Sequence, residues 1–281
     1  MQTPTTLSTT AAGPCAQSTS RRIAYLTGAS LWARVVRGEG ALIAINMTLV
    51  VFAQPPAWIA TIQILVSAVL MAALYAINDW RDAEHDRSNP KKNQQLVEDL
   101  IELRRPLFAW LCMLQVGIVA IAFALLGSPA ALAVAAMIAI NFCYSWWLKG
   151  VPFIDLVIVC VWGATFTAIV TTSWSLCLAV GLMTGIMHFF QIQEDRDVDA
   201  ANQVMTTVVG SGRAANGAIA ILCAALYFSL LDPLGPVWAA SAFIPLLLQR
   251  VCTDTATAWM ASRIYCGVAV LAVVGLMNEI G

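Results

Sequence analysis

Apolar runs alternate with short polar joints from about residue 40 to the end of the chain. The runs near 40–54, 57–77, 106–126, 129–147, 153–172, 175–191, 214–231, 236–250 and 257–277 approach the length a helix needs to cross about 30 Å of hydrocarbon, although the first and eighth are short. In lipid, a helix satisfies its backbone polar groups along its own length, which a lone strand does not. The pattern therefore predicts an all-α integral membrane protein of about nine transmembrane helices.

Two polar clusters interrupt the pattern. One runs from Asn78 to Asp86 at the end of the second run, the other from Gln191 to Asp199 at the end of the sixth. Asn78, Asp82 and Asp86 stand four residues apart, as do Gln191, Asp195 and Asp199. A helix turns about 100° per residue, so each trio forms a stripe on one helix face. Asp79, Glu84, Glu194 and Asp197 fall off the stripes, where solvated or supporting roles are expected. The matching positions of the clusters suggest two four-helix halves around a central cavity, with the first helix as an extra. Between the second and third runs, 94–103 alternates apolar and acidic residues as a short amphipathic helix would, either a lid or a solvated connector.

Composition agrees with a membrane location. The chain is 60% hydrophobic and 11% charged, with a mean hydropathy of +0.78. With the N-terminus inside and the C-terminus outside, all 15 Lys and Arg residues fall on one side, as expected for a bacterial cytoplasmic membrane; Arg263 is expected to snorkel from the start of the ninth span. Both acidic clusters share that side. A net charge of −1 argues against a nucleic-acid partner. The eight cysteines are scattered singly and read as small packing residues. Residues 1–33 are expected to form a disordered tail and 34–281 a single membrane domain.

Carboxylate oxygens are hard ligands, and Mg²⁺ (or Mn²⁺) takes one or two of them while keeping water and substrate phosphates. Facing stripes that include Asp82, Asp86, Asp195 and Asp199 suit Mg²⁺ ions that neutralise a diphosphate, so that an allylic C–O bond can break. Tyr144, Trp146, Trp147, Trp162, Phe189 and Phe190 are candidates to shield the resulting cation. His85 and His188 have no ligand partner at metal spacing and read as hydrogen-bonding residues. A cation-coupled transporter is a remote alternative, disfavoured because no acidic path continues through the spans.

The segment from Asn78 to Lys92 resembles the first signature of the UbiA superfamily of intramembrane prenyltransferases. Asp195 to Asp199 resembles the second, and Tyr144 to Asp155 is similar to the segment joining that family's fourth and fifth helices. The resemblance runs from about residue 34 onward. It implies nine helices around a cavity, with an isoprenoid diphosphate and a small-molecule or lipid acceptor as partners within the lipid membrane. By position, Asn78, Asp82, Asp86, Asp195 and Asp199 would hold the metal and diphosphate. Lys149, with Tyr144 and Arg87, would contact the leaving diphosphate, and Lys92 would join them. Asn46 would match a cavity-lining Asn or serve as an interhelical hydrogen bond. Asp155 is expected to pair with Lys149. Two departures stand out: Gln94-Gln95-Leu96 replaces an Arg-Pro-Leu turn, and no basic residue follows Asp199 until Arg213. The implied activity is prenyl transfer, with intramolecular terpene cyclisation as the alternative.

Overall fold

The computed structural model describes residues 19–36, 40–87, 89 and 92–280. The expected tail at 1–18, Cys15, Arg37, Pro90 and Lys91 lie outside the described residues. Among those described, every regular element is helical. Helix α1 (Thr19–Val36) precedes α2 (Ala41–Ala53), which stops at Gln54 in the left-handed conformation, and the Pro55-Pro56 pair then starts α3 (Ala57–Asp86). α3 has 30 residues and is about 45 Å long, so its last turns, which carry the first acidic stripe, reach past the edge of the hydrocarbon.

A short helix, α4 (Gln94–Glu102), is capped by the Asn93 side chain, which accepts from the Leu96 amide at 3.2 Å. α5 (Arg104–Leu126) and α6 (Ser128–Cys143) form the next antiparallel pair, and α6 runs into one π-helical turn at Tyr144–Leu148. α7 (Ile154–Thr167) leads to α8 (Trp174–Glu194), then to the short α9 (Arg196–Ala201) and α10 (Thr207–Ser211). α11 (Ala214–Ala239) kinks at Gly235, whose φ of 74° suits glycine; α12 (Ile244–Val251) and α13 (Thr255–Ile280) close the chain.

Among the described residues, seven segments are long and apolar enough to cross a membrane: α3, α5, α6 with its π turn, α8, Ala214–Asp232, Leu234–Val251 and Thr255–Val273. α1 and α2 qualify only as one bent pair, and α7 is an apolar helix of 14 residues, shorter than the expected 153–172. The bent pair taken as one span makes eight among the described residues, and α7 is a ninth apolar segment too short to qualify alone, so the expected nine is approximate.

The bundle is held by aliphatic packing and by close helix contact. Leu70, Met71 and Leu74 of α3, Leu107 and Leu111 of α5, Met137 of α6 and Phe166 of α7 are fully buried. α7 and α8 meet through glycines. A Cβ on Gly163 would strike the Thr184 side chain, one on Gly185 the Cys160 sulfur, and one on Gly181 would lie 2.5 Å from the Cys160 carbonyl oxygen. With no water to expel from between helices in lipid, such small residues let backbones approach and gain dispersion contacts.

Residues 19–33 correct the expectation of a disordered tail, because α1 packs Ile23, Leu26, Thr27 and Ser30 inward. Ion pairs add to this. Arg22 binds Asp99 at 3.0 Å and Glu102 at 2.7 Å on α4, while Arg34 binds Asp79 of α3 at 2.7 Å. Arg87 grips Glu98 from the other side at 3.1 Å, so α4 is fastened to both α1 and α3 with Val97 and Leu100 turned inward.

Candidate active site

Antiparallel packing brings the C-terminal ends of α3 and α8 and the α6–α7 joint to one end of the bundle. There they enclose a cavity of about 540 Å³. Its wall contains Asn78, Asp82 and Asp86 from the first stripe and Gln191, Asp195 and Asp199 from the second. Each stripe thus presents all three members to the same space, as a four-residue step on a helix requires.

Between the stripes stands the π turn. A π turn inserts one residue into the helical ladder and re-aims the side chains after it, here Tyr144, Ser145 and Trp146, all of which line the cavity. The Ser145 hydroxyl donates to Asn78 Oδ1, and the Lys149 ammonium donates to Asp82 Oδ2. Burial draws the Lys149 ammonium downward, but Asp82 and Tyr144 together outweigh it and the net direction is up, so Lys149 stays charged. Lys92 pairs with Asp86 at 3.1 Å. Burial, and next the charge of Asp195, push the Asp199 carboxyl up to about 6, against the pull of Lys149.

Deeper in the cavity the wall turns apolar and aromatic, with Tyr75, Ile158, Trp162 and Met187, and Trp259 of α13 joins the lining. The Tyr75 and Trp162 rings lie 6.3 Å apart, and Trp162 stacks on the buried Phe166. The site therefore has a charged mouth and an aromatic interior, suited to an amphiphile with an anionic head.

The UbiA prenyltransferase family model matches residues 40–265. The chain belongs to the UbiA prenyltransferase family. Solved structures agree in fold. The UbiA homologue from Archaeoglobus fulgidus bound to DMAPP and Mg²⁺ is 17% identical with a TM-score of 0.58, over 85% of this chain and 98% of that one. The same homologue bound to GPP and Mg²⁺ gives 16% and 0.59, over 87% and 99%. A digeranylgeranylglyceryl phosphate synthase gives 14% and 0.69, over 94% and 100%. Among curated proteins none matches.

Several expected site residues of this UbiA-family chain sit elsewhere. Arg87 is absent from the cavity wall because its guanidinium is engaged by Glu98; Arg81, not singled out from sequence, lines the cavity instead. Asn46 is buried below the cavity, where its Nδ2 donates to Ser67 Oγ at 3.2 Å and the Phe166 carbonyl at 3.0 Å, the interhelical alternative. Asp155 does not pair with Lys149. It accepts from the Thr207 amide at 2.8 Å and from the Thr207 hydroxyl, and it caps its own helix through the Leu156 amide. Phe189 and Phe190 are fully buried in the core and Trp147 is exposed, so none lines the cavity. Asp79, expected to be solvated or supporting, is buried against Arg34 of the cavity wall, the supporting alternative. His85 and His188 both face the cavity, and His188 Nδ1 lies 3.4 Å from Gln191 Oε1. Arg263 lines the cavity, and its guanidinium reaches back over the Trp259 ring toward the start of α13.

Proposed function

We propose that the protein is a Mg²⁺-dependent intramembrane prenyltransferase, which ionises an isoprenoid diphosphate and passes the prenyl group to a small-molecule or lipid acceptor. The observation that carries this reading is the convergence of both acidic stripes and Lys149 on one cavity with an aromatic interior. Structures of relatives bound to DMAPP or GPP with Mg²⁺ support it by analogy of fold. The basic residues gathered at that end support a site on the cytoplasmic face.

The donor set fits the cation. Among the described residues no three His, Cys, Asp or Glu side chains form a ready cage, and none is needed, since Mg²⁺ uses one or two carboxylates and completes its shell with water and substrate phosphate. When bound with the diphosphate, Mg²⁺ supplies the charge neutralisation that lets the leaving group depart. Asp82, Asp86, Asp195 and Asp199 are assigned to hold it, with the amides of Asn78 and Gln191 orienting the first turn of each stripe. Lys149 is assigned to the departing diphosphate oxygens, with Tyr144 and Lys92 beside it. As the C1–O bond breaks, its electron pair leaves with the diphosphate, and the acceptor supplies the pair that forms the new bond to C1. Tyr75, Trp162 and Trp259 face the cation with ring π-systems and exclude water until the acceptor attacks.

The test is product analysis by mass spectrometry with purified protein, Mg²⁺ and isoprenoid diphosphates of several lengths, with and without acceptors. Products should form only when an acceptor is present. Efficient acceptor-free conversion to one cyclic terpene would replace transfer by cyclisation.

Asp199 makes the site sensitive to pH. Its folded-state pKa lies above the ordinary carboxylate value of 3.8, so the stability it contributes is full at low pH and is lost as pH rises through about 6. Cation binding needs the ionised form and opposes that loss. Mg²⁺ with a non-hydrolysable prenyl diphosphate should raise the melting temperature more at about pH 7.5 than at about pH 5. Equal stabilisation at both would remove Asp199 from the metal site.

A further inference from the structure

Below its charged mouth the cavity comes to an end. Its lining reaches inward as far as Tyr75 on α3, Ile140 on α6, Trp162 on α7 and Thr184 on α8. One helical turn further in, the same faces carry Met71, Met137, Phe166 and Val180, none more than 2% exposed. Two further helices seal that layer. Asn46 of α2 donates to the Phe166 carbonyl at 3.0 Å and to Ser67 of α3, and the Cys266 sulfur of α13 lies 3.8 Å from the Met183 carbonyl oxygen of α8. Among the described residues, six helices thus meet in a packed layer beneath the cavity.

That layer sets a length. From Asp195 to Thr184 is eleven residues along α8, about 16 Å, and from Asp82 to Tyr75 is seven along α3, about 10 Å. An isoprene unit adds four main-chain carbon–carbon bonds of about 1.5 Å each, so it extends by about 5 Å. With a diphosphate at the carboxylates, the space below takes two or three units. Four units need about 20 Å, and eight, at about 40 Å, exceed the thickness of the hydrocarbon itself. The end wall is aromatic and backed. Trp162 lies 6.3 Å from the Tyr75 ring and nearly parallel to Phe166, whose carbonyl Asn46 holds. Next to it, Gly163 meets Thr184 so closely that α7 has no room to step back. We infer that Trp162, backed by Phe166 and Asn46, is the floor that limits the prenyl donor to two or three isoprene units.

This inference rests on the prenyl-transfer reading and narrows its donor class. A packed interior has the density of an organic crystal, and admitting one group too many forces side chains off their rotamers. One isoprene unit beyond the floor meets that cost, whereas a tail that is one unit short only leaves apolar surface uncovered.

The experiment uses the full chain in lipid nanodiscs, with prenyl thiodiphosphates of two, three, four and eight units at equal mole fraction in the bilayer. Affinity is read from stabilisation against heat with Mg²⁺, and turnover from the matching diphosphates with acceptors. The parent protein should bind the two- and three-unit compounds about tenfold or more tightly than the longer pair. Trp162→Ala should bring the four-unit compound level with the three-unit one and still exclude the eight-unit one, and Trp162→Phe should shift the ratio the same way by less. The ratio between lengths is decisive, since loss of the ring also slows every donor. Stabilisation by the two-unit compound checks that each variant folds, and Trp147→Ala, at an exposed position off the wall, should keep the parent ratio. Equal binding of the three-, four- and eight-unit compounds by the parent would mean that the tail leaves sideways between helices. That result overturns the floor and leaves the transfer reading intact, as does an unchanged ratio in whichever Trp162 variant folds. Length-dependent binding with no acceptor prenylated sustains the floor and removes transfer alone. A parent that no prenyl thiodiphosphate stabilises overturns both.

Discussion

Alanine at Asp195 or Asp199, and equally at Asp82 or Asp86, should lower prenyl-transfer turnover by about a hundredfold or more, the scale of losing a group that stabilises charge as it develops. The loss should fall on kcat as well as on KM, because the carboxylates hold the cation on which departure of the diphosphate depends. Asp197→Ala is the internal control. It belongs to the same short α9 as Asp199 but is exposed and off the cavity wall, so its replacement should change turnover only slightly. Asp82 has a second effect, since its removal also frees Lys149 from its carboxylate partner. Asp82→Asn, which keeps a hydrogen-bond acceptor while removing the charge, separates these effects. Full activity of both the Asp195 and Asp199 variants would reduce the second stripe to a solvated end of α8.

The largest effect on stability is expected at Gly181. A Cβ there would sit 2.5 Å from the carbonyl oxygen of Cys160 and 2.9 Å from the Ala164 side chain, both on α7. A backbone carbonyl inside a helix does not rotate away as a long side chain would, so the helices must separate. Gly181→Val should cost about 3 kcal/mol or more, at the upper end of overpacking effects, because separation also forfeits the contacts at Gly163 and Gly185. A thermal melt in detergent reads this directly. Gly217, where an added Cβ meets nothing within 4 Å, is the matched control, and Gly217→Ala should melt close to the parent. Unchanged melting of Gly181→Val would mean that α7 and α8 are held apart from each other in the membrane.

The acidic stripes and the membrane class were legible because each rests on a local period. Asn78, Asp82 and Asp86 announce a helix face whatever the rest of the chain does, and the long apolar runs announce spans. What escaped depends on distant partners. The Ser- and Thr-rich start of the chain hides the apolar residues Ile23 and Leu26, which find their packing partners far along the chain, and α1 is tied further by Arg22 with Asp99 and Glu102, and Arg34 with Asp79, pairs separated by 45 to 80 residues. Asp155 found Thr207, 52 positions away, and no short-range pattern marks that choice. Phe189 and Phe190 are a different kind of miss. The face that carries Gln191 and Asp195 continues back through His188 and Thr184, and neighbours at 100° to that face turn into the core.

The bond between Lys149 and Asp82 bears on how an acidic site tolerates being empty. Carboxylates from two helices crowd one cavity, and burial, with their mutual repulsion after it, raises Asp199. A resident ammonium offsets part of that repulsion before any ligand arrives. On the proposed reading, an incoming cation takes over Asp82 while its phosphate takes over Lys149. Loading is then an exchange of counter-ions in which neither partner is left bare, and the net charge inside the membrane edge stays nearly level from the free enzyme to the loaded one.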